Sequence, residues 1–329
     1  MNIKNITITE EKIPLKTPFV TALRSVENVE FIRVKIEFDD GSIRYGEAPA
    51  TKAVTGEDLE SITRNIQELT PQLLGLQKEE ALAVVHKSSM GSSAKAALDI
   101  ALVVQEKIED SEPIQTDITI SLGSKKKMLF DAKNAYDDGI KLLKVKLGSN
   151  ISHAIEVTNE LDQHFSDAQL LIDANQAWSV EQSIEYINGV RGCEHIKLIE
   201  QPVKAQDKNG LKMVTQNSPF PILADEAVFT LEDVKYVYEN QIADMINIKL
   251  MKCGGVSKGI EILEYAREHN ITCMLGSMLE GPYSINAAVQ LAFAYKDVIK
   301  YVDLDSPLLY KNSAKELNFT LYKNLMVLQ

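Results

Sequence analysis

Polar side chains stand at the ends of a regular series of short apolar runs from residue 116 onward. Eight can be chosen, one from each run, and successive members lie 24 to 28 residues apart. They are Thr119, Lys146, Asp173, Glu200, Asp225, Lys249, Ser277 and Asp303. Three consecutive members are carboxylates, and a lysine stands on each side of them. Converging carboxylates need a cation, because like charges raise one another's pKa. The spacing therefore predicts a metal site flanked by two lysines.

Asp173, Glu200 and Asp225 are the predicted metal ligands. An all-oxygen ligand set selects a hard cation, and octahedral Mg²⁺ keeps coordination positions free for a substrate. The choice between Mg²⁺ and Mn²⁺ is left open by the sequence.

Lys146 and Lys249 are the predicted acid/base pair. They end the second and sixth runs, which would be diametrically opposed in a ring of eight strands, so that one amine would face each side of a planar intermediate. Lys144 points the same way from its strand as Lys146, and a neighbouring cation depresses the pKa of a lysine. Lys252, in contrast, is expected to be a surface lysine.

These groups together fit proton transfer at a carbon next to a carboxylate. Removing that proton builds a second negative charge on the carboxylate oxygens, and a divalent cation stabilises this charge more than it stabilises the substrate. One lysine would take the proton, and the opposite ammonium would return one to the other face. The expected reaction is a two-base 1,1-proton transfer through a metal-stabilised enediolate, with inversion at carbon.

The elements that must position these residues are eight strand–loop–helix units. Their number and spacing favour a (β/α)8 TIM-type barrel over residues 116–310, whose active site forms at the carboxyl ends of the strands. A doubly wound sheet is the main competitor. It would place its ligand at one switch point, and charged residues would not be spread over most strand ends.

Residues 1–115 follow another pattern. Segments 2–9 and 29–38 alternate like antiparallel strands, and Asp39-Asp40-Gly41 predicts a hairpin turn. A helix is expected to start at 55–57 and to continue to about residue 74. A second helix, over 93–110, would carry on one face Ala97, Ala101, Val104 and Ile108. Strands followed by helices predict an N-terminal α+β domain, to which residues 311–329 would return.

The bulk composition excludes several classes of function. A net charge of −12 argues against a nucleic-acid partner or an anionic membrane. The three cysteines are widely spaced and lack a CxxC motif, so neither a disulfide framework nor a zinc site is predicted. We find no apolar run of membrane-spanning length and no signal peptide. We therefore expect a cytoplasmic protein that acts on a small molecule, and we expect it to be a homo-oligomer.

Five sequence blocks resemble the enolase superfamily, in its muconate lactonizing enzyme subgroup. They occur in the family's order and spacing: KVK at 144–146, DAN at 173–175, IEQP at 199–202, ADE at 224–226 and NIKLMKCGG at 247–255. The resemblance covers essentially the whole chain and includes an N-terminal capping domain completed by the C-terminal tail. It implies Mg²⁺ on the three carboxylates and catalysis by the two lysines. It places in supporting positions Lys144, Asn175 and Glu226.

Asp303 and Asp305 bear on the substrate. They form a DxD pair on the eighth strand, opposite Glu200, and would hold a cation at the end of the substrate farthest from the metal. The segment resembles the DxD signature of the dipeptide epimerases, in which the two acids bind the ammonium of the N-terminal residue. Further expected substrate contacts are Thr119, Lys144, Ser277 and Met278, and Glu280 is expected to lie near them.

Arg24 is the residue that points to a particular side chain. It lies in the loop between the first two strands, and an arginine there suits a carboxylate. It resembles the arginine of L-Ala-D/L-Glu epimerases, a resemblance that implies glutamate as the inverted residue. Two alternatives stay open: a dipeptide epimerase with another side-chain preference, and an N-acylamino acid racemase or an o-succinylbenzoate synthase-type lyase.

Overall fold

A computed structural model describes residues 1–22, 25–103, 108 and 112–329 of the chain. The N-terminal region begins with a three-stranded antiparallel sheet in the order β1-β2-β3. Its strands are β1 Ile3–Val20, β2 Ser25–Phe38 and β3 Ile43–Pro49. Four helices and a short strand follow: α1 Lys52–Thr55, α2 Leu59–Leu73, α3 Lys78–Lys87, α4 Ser92–Leu102 and β4 Ile114–Gln115.

The first strand is longer than the sequence pattern predicted. Alternation indicated a strand over 2–9, yet β1 continues to Val20 and pairs with β2, with a register shift between Pro14 and Phe19. Pro14 does not end it, because β1 lies at the edge of the sheet, where a missing N–H is tolerated. The predicted turn between β2 and β3 is confirmed, and Gly41 there has a φ of 84°.

Two helix boundaries differ from the predictions. Gly56, expected at a helix start, is the left-handed C-cap of α1, and α2 starts after it. The N-cap of α2 is Asp58, whose side chain accepts from the backbone N–H of Ser61. α4 ends at Leu102 rather than at 110, and Ile108 is not helical. Of the predicted apolar face, Ala97 and Ala101 are buried in α4, and Val104 lies outside the described residues.

The central region is the predicted TIM-type barrel, and the fold class is confirmed. Eight parallel strands follow one another in the order β5 to β12. They are β5 Ile118–Ile120, β6 Leu142–Lys146, β7 Gln169–Asp173, β8 Ile196–Glu200, β9 Ile222–Ala224, β10 Met245–Lys249, β11 Thr272–Gly276 and β12 Ile299–Asp303. The helices are α5 Lys125–Asp137, α6 Ile151–His164, α7 Val180–Gly189, α8 Lys208–Asn217, α9 Leu231–Glu239, α10 Leu250–Cys253, α11 Val256–Glu268, α12 Pro282–Ala294 and α13 Ser306–Leu309.

Strand alternation places the site residues inside the ring. In β6, for example, Leu143 and Val145 pack outward into the main core, whereas Lys144 and Lys146 point inward. Beneath the polar side chains, seven strands each contribute one residue to an apolar layer: Leu142, Leu171, Leu198, Leu223, Met245, Met274 and Tyr301. The barrel is therefore apolar at its amino end and charged at the carboxyl ends of its strands.

The ring closes between β12 and the segment that leads into β5. The backbone N–H of Asp117 donates to the carbonyl of Val302 at 3.0 Å. The hydroxyl of Thr116 accepts from the backbone N–H of Leu304 at 2.9 Å. Side chains and irregular backbone thus replace a full ladder of strand hydrogen bonds at this seam.

The C-terminal tail forms a hairpin, β13 Phe319–Tyr322 and β14 Leu325–Leu328, which pairs with β4. Before the hairpin, Tyr310 forms an isolated bridge with Leu15 of β1. We propose that the boundary between the capping domain and the barrel lies between β4 and β5. Within the described residues, no helix combines the length and the apolar character needed to cross a lipid bilayer.

Candidate active site

One cavity lies between the carboxyl ends of the barrel strands and the N-terminal region. From the barrel it is lined by Thr119, Lys146, Asn175, Asp225, Glu226, Lys249, Ser277, Met278, Leu279, Asp303 and Asp305. From the N-terminal region it is lined by Phe19, Thr21, Thr51, Ala53 and Val54. Of the eight strand-end residues chosen from the sequence, six line this space, and Asp173 and Glu200 do not.

The three predicted metal ligands are buried side by side on successive strands. Asp173 and Glu200 are the last residues of β7 and β8 and stand opposite each other in the parallel register. Asp225 directly follows β9. The exposed fraction of each residue is at most 2%. The structure therefore places the three carboxylates on one arc of the barrel, which we call the metal arc.

Each predicted catalytic lysine forms an ion pair with one of these carboxylates. The Nζ of Lys146 lies 2.6 Å from Oδ2 of Asp173, and the Nζ of Lys249 lies 2.6 Å from Oδ2 of Asp225. Burial lowers the pKa of Lys249, but the negative charges of Asp225 and of other nearby carboxylates together raise this pKa above its usual value. In the protein alone, the two amines thus form ion pairs at opposite ends of the metal arc.

Lys144 lies below the cavity and is completely buried. Its Nζ is 2.8 Å from Oε2 of Glu200 and 3.4 Å from Oδ2 of Asp173, and it donates a hydrogen bond to Asp303. Burial lowers its pKa, but the surrounding carboxylates raise that pKa well above the usual value. Although we expected it among the substrate contacts, Lys144 does not line the cavity. Its geometry fits the supporting position instead, since it joins the metal arc to the DxD pair.

Lys252 corrects one prediction, because it is not a surface lysine. Only 2% of the residue is exposed. Its Nζ lies 2.6 Å from both Oδ1 and the backbone carbonyl of Asp225, and 2.9 Å from the carbonyl of Asn247. The short helix α10 turns directly after β10, and this turn returns Lys252 to the strand end. Asp225 is consequently held by two ammonium groups, one on each carboxylate oxygen.

Three further residues orient the carboxylates. The backbone N–H of Asn175, which has a φ of 45°, donates to Oδ1 of Asp173 at 2.8 Å. The side-chain carbonyl of Gln201 accepts from the backbone N–H of Asp225 at 2.9 Å. The amide nitrogen of Asn247 donates to Oε1 of Glu200 at 2.7 Å. Gln201 and Asn247 belong to the IEQP and NIKLMKCGG blocks, which were the signal that could have identified them.

Gly276 makes room for Lys249. It ends β11, opposite Lys249 in the parallel register. A Cβ at this position would lie 2.7 Å from Oδ1 of Asn247 and 3.0 Å from Cε of Lys249. The contact with Asn247 is too short and the contact with Lys249 is tight, so a larger residue would require both side chains to shift. Spacing alone did not reveal this requirement.

The donor set fits a divalent cation. Burial and the nearby charge of Asp173 raise the pKa of Glu200 to about 7. Burial and the charge of Asp225 raise the pKa of Glu226 to about 8, and Oε2 of Glu226 is buried without a hydrogen-bond partner. Carboxylates that are held partly protonated by crowding are ionised when a cation binds among them. Hard oxygen donors of this kind select Mg²⁺ or a similar ion.

The DxD pair forms the other end of the cavity. Asp303 ends β12, and its carboxylate accepts from Lys144. Asp305 accepts from the backbone N–H of Thr119 at 2.7 Å. Burial and the charge of Asp303 raise the pKa of Asp305 to about 6. Within the described residues, Asp305 has no ion pair with a lysine or an arginine. This end of the cavity therefore fits a cation supplied by a ligand.

The remaining predicted contacts have different outcomes. Thr119, Ser277 and Met278 line the cavity. Glu280 does not line it: the residue is 1% exposed, and its carboxylate accepts from the backbone N–H of Met278 at 2.8 Å. Arg24 lies outside the described residues.

Comparisons with known proteins agree with this geometry. Residues 3–107 match the N-terminal domain of the mandelate racemase/muconate lactonizing enzyme family, and residues 127–320 match the family described as enolase C-terminal domain-like. The L-amino acid-D/L-Glu epimerase of Sulfurimonas denitrificans is 54% identical over an alignment of 332 positions, which covers 97% of each chain.

Two solved structures show how far the fold is shared. The substrate-liganded L-Ala-D/L-Glu epimerase of Bacillus subtilis superposes with a TM-score of 0.93 at 34% identity, covering 100% of this chain and 97% of that one. The dipeptide epimerase of Enterococcus faecalis, complexed with Mg and L-Leu-L-Tyr, gives a TM-score of 0.91 at 30% identity, covering 100% and 98%. The chain therefore belongs to the mandelate racemase/muconate lactonizing enzyme group of the enolase superfamily.

Proposed function

We propose that this protein is a dipeptide epimerase that inverts the α-carbon of the C-terminal residue, with L-Ala-D/L-Glu as the best substrate. The observation that carries the proposal is the arrangement of one cavity. Two lysines from opposite strands face it at the metal arc, and a pair of acids without a full complement of cations lies at its other end. The names of the most similar relatives support the same reaction class.

Asp173, Glu200 and Asp225 would hold Mg²⁺, or Mn²⁺ in its place. The bound ion would supply positive charge beside the substrate carboxylate, on which negative charge increases when the α-proton leaves. Lys144, Asn175 and Asn247 keep the ligands oriented, because each donates a hydrogen bond or an ion pair to one of them.

Lys146 and Lys249 would exchange the α-proton. One must be a neutral amine to take the proton, while the other must be an ammonium to deliver one to the opposite face. In the protein alone, each amine is paired with a carboxylate that a cation would also claim. Engagement of Asp173 and Asp225 as ligands would weaken both pairs, and the loss of the paired negative charge would lower the pKa of Lys249. The lysines would then be free to point at the substrate.

Asp303 and Asp305 would bind the α-ammonium of the N-terminal residue. The distance across the barrel mouth between this pair and the metal arc would set the length of the substrate. The substrate carboxylate must reach the metal arc while its ammonium reaches the two acids. An N-acylated substrate has no ammonium for them. The two acids therefore favour a dipeptide over an N-acylamino acid or a succinylbenzoate.

The side chain of the inverted residue would lie against the N-terminal region, where Arg24 is the proposed partner of a glutamate carboxylate. Thr51 is a further reason to expect a polar substrate side chain in this part of the cavity. It lines the cavity and is 2% exposed, yet its hydroxyl is buried without a hydrogen-bond partner. A buried hydroxyl without a partner is costly, so a ligand oxygen that accepts from it would be favoured.

Proton NMR of L-Ala-L-Glu with the protein and Mg²⁺ in D₂O tests this function. We expect the glutamate α-proton signal to disappear and the L-Ala-D-Glu diastereomer to appear. Exchange with other dipeptides but not with this one would overturn the proposal that Arg24 binds a glutamate side chain. The assignment as a dipeptide epimerase would still stand. Exchange confined to N-acylamino acids, or turnover of a succinylbenzoate precursor, would overturn the dipeptide assignment.

A further inference from the structure

Asp117 is a buried acid that the proposed reaction does not use. It lies directly before β5 and is completely buried. Both oxygens of its carboxyl group lack a hydrogen-bond partner among the described residues. A buried polar atom without a partner destabilises a protein, so such a group calls for an explanation.

The position of Asp117 in the barrel makes it more unusual. Thr119 stands opposite Lys144 in the parallel register, so Asp117, two residues earlier, is level with Leu142. Leu142 belongs to the apolar layer to which seven of the eight strands contribute an apolar side chain or Tyr301. Asp117 therefore takes the eighth place in this layer, where packing alone would favour an aliphatic residue.

What lies above Asp117 is the proposed ammonium site. One carboxylate oxygen each from Asp117, Asp303 and Asp305 can be chosen so that all three lie within 4.8 Å of one another. The nearest described cation is Lys144, which is already shared with Glu200 and Asp173. A substrate ammonium would add one positive charge to three acids, and one acid would still lack a cation.

We propose that Asp117 is a positioning residue of the ammonium site, whose carboxyl group in its acid form donates a hydrogen bond to the Asp303–Asp305 pair from below. The proton satisfies the buried acid without a second cation. It also leaves both upper carboxylates ionised for the ligand. Burial, together with Asp303 and Asp305, raises the pKa of Asp117 well above its usual value, in keeping with this state.

This inference rests on the proposed function, because the ligand that the pair receives is the ammonium of a dipeptide. It assigns no direct contact between Asp117 and the substrate, since Asp117 does not line the cavity. Asp117 would act through the orientation of the two acids above it. Its removal should therefore affect substrate binding much more than the exchange chemistry at the other end.

The test compares Asp117→Leu with Asp117→Asn. Leucine matches the neighbours in the apolar layer but cannot donate, whereas the asparagine amide keeps a donor in nearly the same shape. We expect Asp117→Leu to raise KM for L-Ala-L-Glu about tenfold, with kcat changed less than threefold and Tm unchanged or raised. We expect Asp117→Asn to restore KM to within about threefold of the wild-type value. If the leucine variant does not fold, Asp117→Ala gives the same comparison.

Three outcomes would overturn the inference. One is an unchanged KM in both the leucine and alanine variants, which would mean that Asp117 has only a packing role. Another is a KM raised equally by asparagine and leucine, which would mean that the ionised form is required. The third is a second Mg²⁺ per chain, found by titration calorimetry and lost in Asp117→Leu, since a metal ion would then be the partner.

The wild-type assay separates this inference from the proposed function. If the wild-type protein does not exchange the α-proton of any dipeptide, the proposed function fails before a variant is made. If the wild type exchanges it and the Asp117 variants behave as in any of those three outcomes, only the inference fails.

Discussion

Two ends of one cavity differ in how their buried acids are neutralised. On the metal arc, every carboxylate has an ammonium within the protein: Asp173 has Lys146, Glu200 has Lys144, and Asp225 has both Lys249 and Lys252. At the seam between β12 and β5, Asp303 shares Lys144 with other acids. Asp305 and Asp117 form no ion pair within the described part of the chain.

This difference shows what each end requires from a ligand. The metal arc is organised before anything binds, because lysines and amides already fix its carboxylates in place. The seam end keeps an excess of negative charge that a cationic ligand would relieve. Each variant below alters one end of the cavity. Comparing variants of the two ends tests whether the two ends work independently.

The largest expected effect is at the metal arc. Lys249→Ala and Lys146→Ala should each reduce the rate of epimerisation by at least about 10³-fold, because general acid–base catalysis by one positioned group contributes 10²- to 10⁴-fold and inversion needs both. Steady-state kinetics on L-Ala-L-Glu measures this. Lys204→Ala, at an exposed position, is the matched control. Activity within tenfold of wild type in either variant would disprove the two-base assignment.

Lys252→Met should destabilise the protein by about 3 to 5 kcal/mol, because it leaves Oδ1 of Asp225 buried beside an apolar chain. Urea unfolding of the metal-free protein checks this value. Lys258→Met is the control, since Lys258 is on the surface of α11 and pairs only with Glu261 among the described residues. A loss below about 1 kcal/mol, equal to that of the control, would restore the surface interpretation of Lys252.

The seam end should show its excess charge as a dependence of stability on pH. The folded-state pKa of Asp305 is raised from 3.8 to about 6. Its contribution to the free energy of unfolding is therefore fully present below pH 3.8 and is lost as the pH rises through 6. Asp305→Asn should therefore flatten the decline in the free energy of unfolding between about pH 4 and 7, by up to about 3 kcal/mol.

The measurement is the difference between wild-type and Asp305→Asn unfolding curves, both without metal or substrate. Taking this difference removes the contributions of carboxyl groups that Asp305 does not influence, including Glu200 and Glu226, whose pKa values are also raised. If the two curves are parallel across this range, burial of Asp305 has no net effect on its pKa.

A smaller effect is expected on substrate affinity. Asp305→Asn should raise KM for L-Ala-L-Glu about tenfold, since it removes one charge-assisted hydrogen bond to the ammonium. Turnover of the N-acetylated dipeptide should change less than threefold, because that substrate has no ammonium. Equal losses for the two substrates would show that Asp305 acts on the structure of the whole cavity and not on the ammonium.

Sequence reasoning succeeded where side chains follow a strand period. The carboxylates and lysines could be predicted because each ends an apolar run, and because a barrel brings all such ends to one rim. The repeat of the units therefore specified both the barrel and the residues on its rim. It was less informative at helix boundaries, such as the end of α4, where the apolar pattern continued beyond the helix.

The residues that were missed depend on contacts across the barrel. Lys252 was misassigned because a surface position and a turn back to Asp225 look the same in the sequence. Gly276 gave no signal, since the need for a missing Cβ arises from Asn247 and Lys249 on the adjacent strand. Asp117 stood one residue outside its strand, and only the register with β6 places it in the apolar layer.

The sequence by itself determined the barrel, the carboxylate triad, the lysine pair and the DxD pair. These follow from local period and order, which the chain carries along its length. The tertiary structure alone decided how charge is distributed among them, because ion pairing depends on distance and burial. These distances and degrees of burial are set only when the eight strands close into a ring. They are the reason why the charges at the metal arc are balanced, whereas the seam end keeps an excess of negative charge.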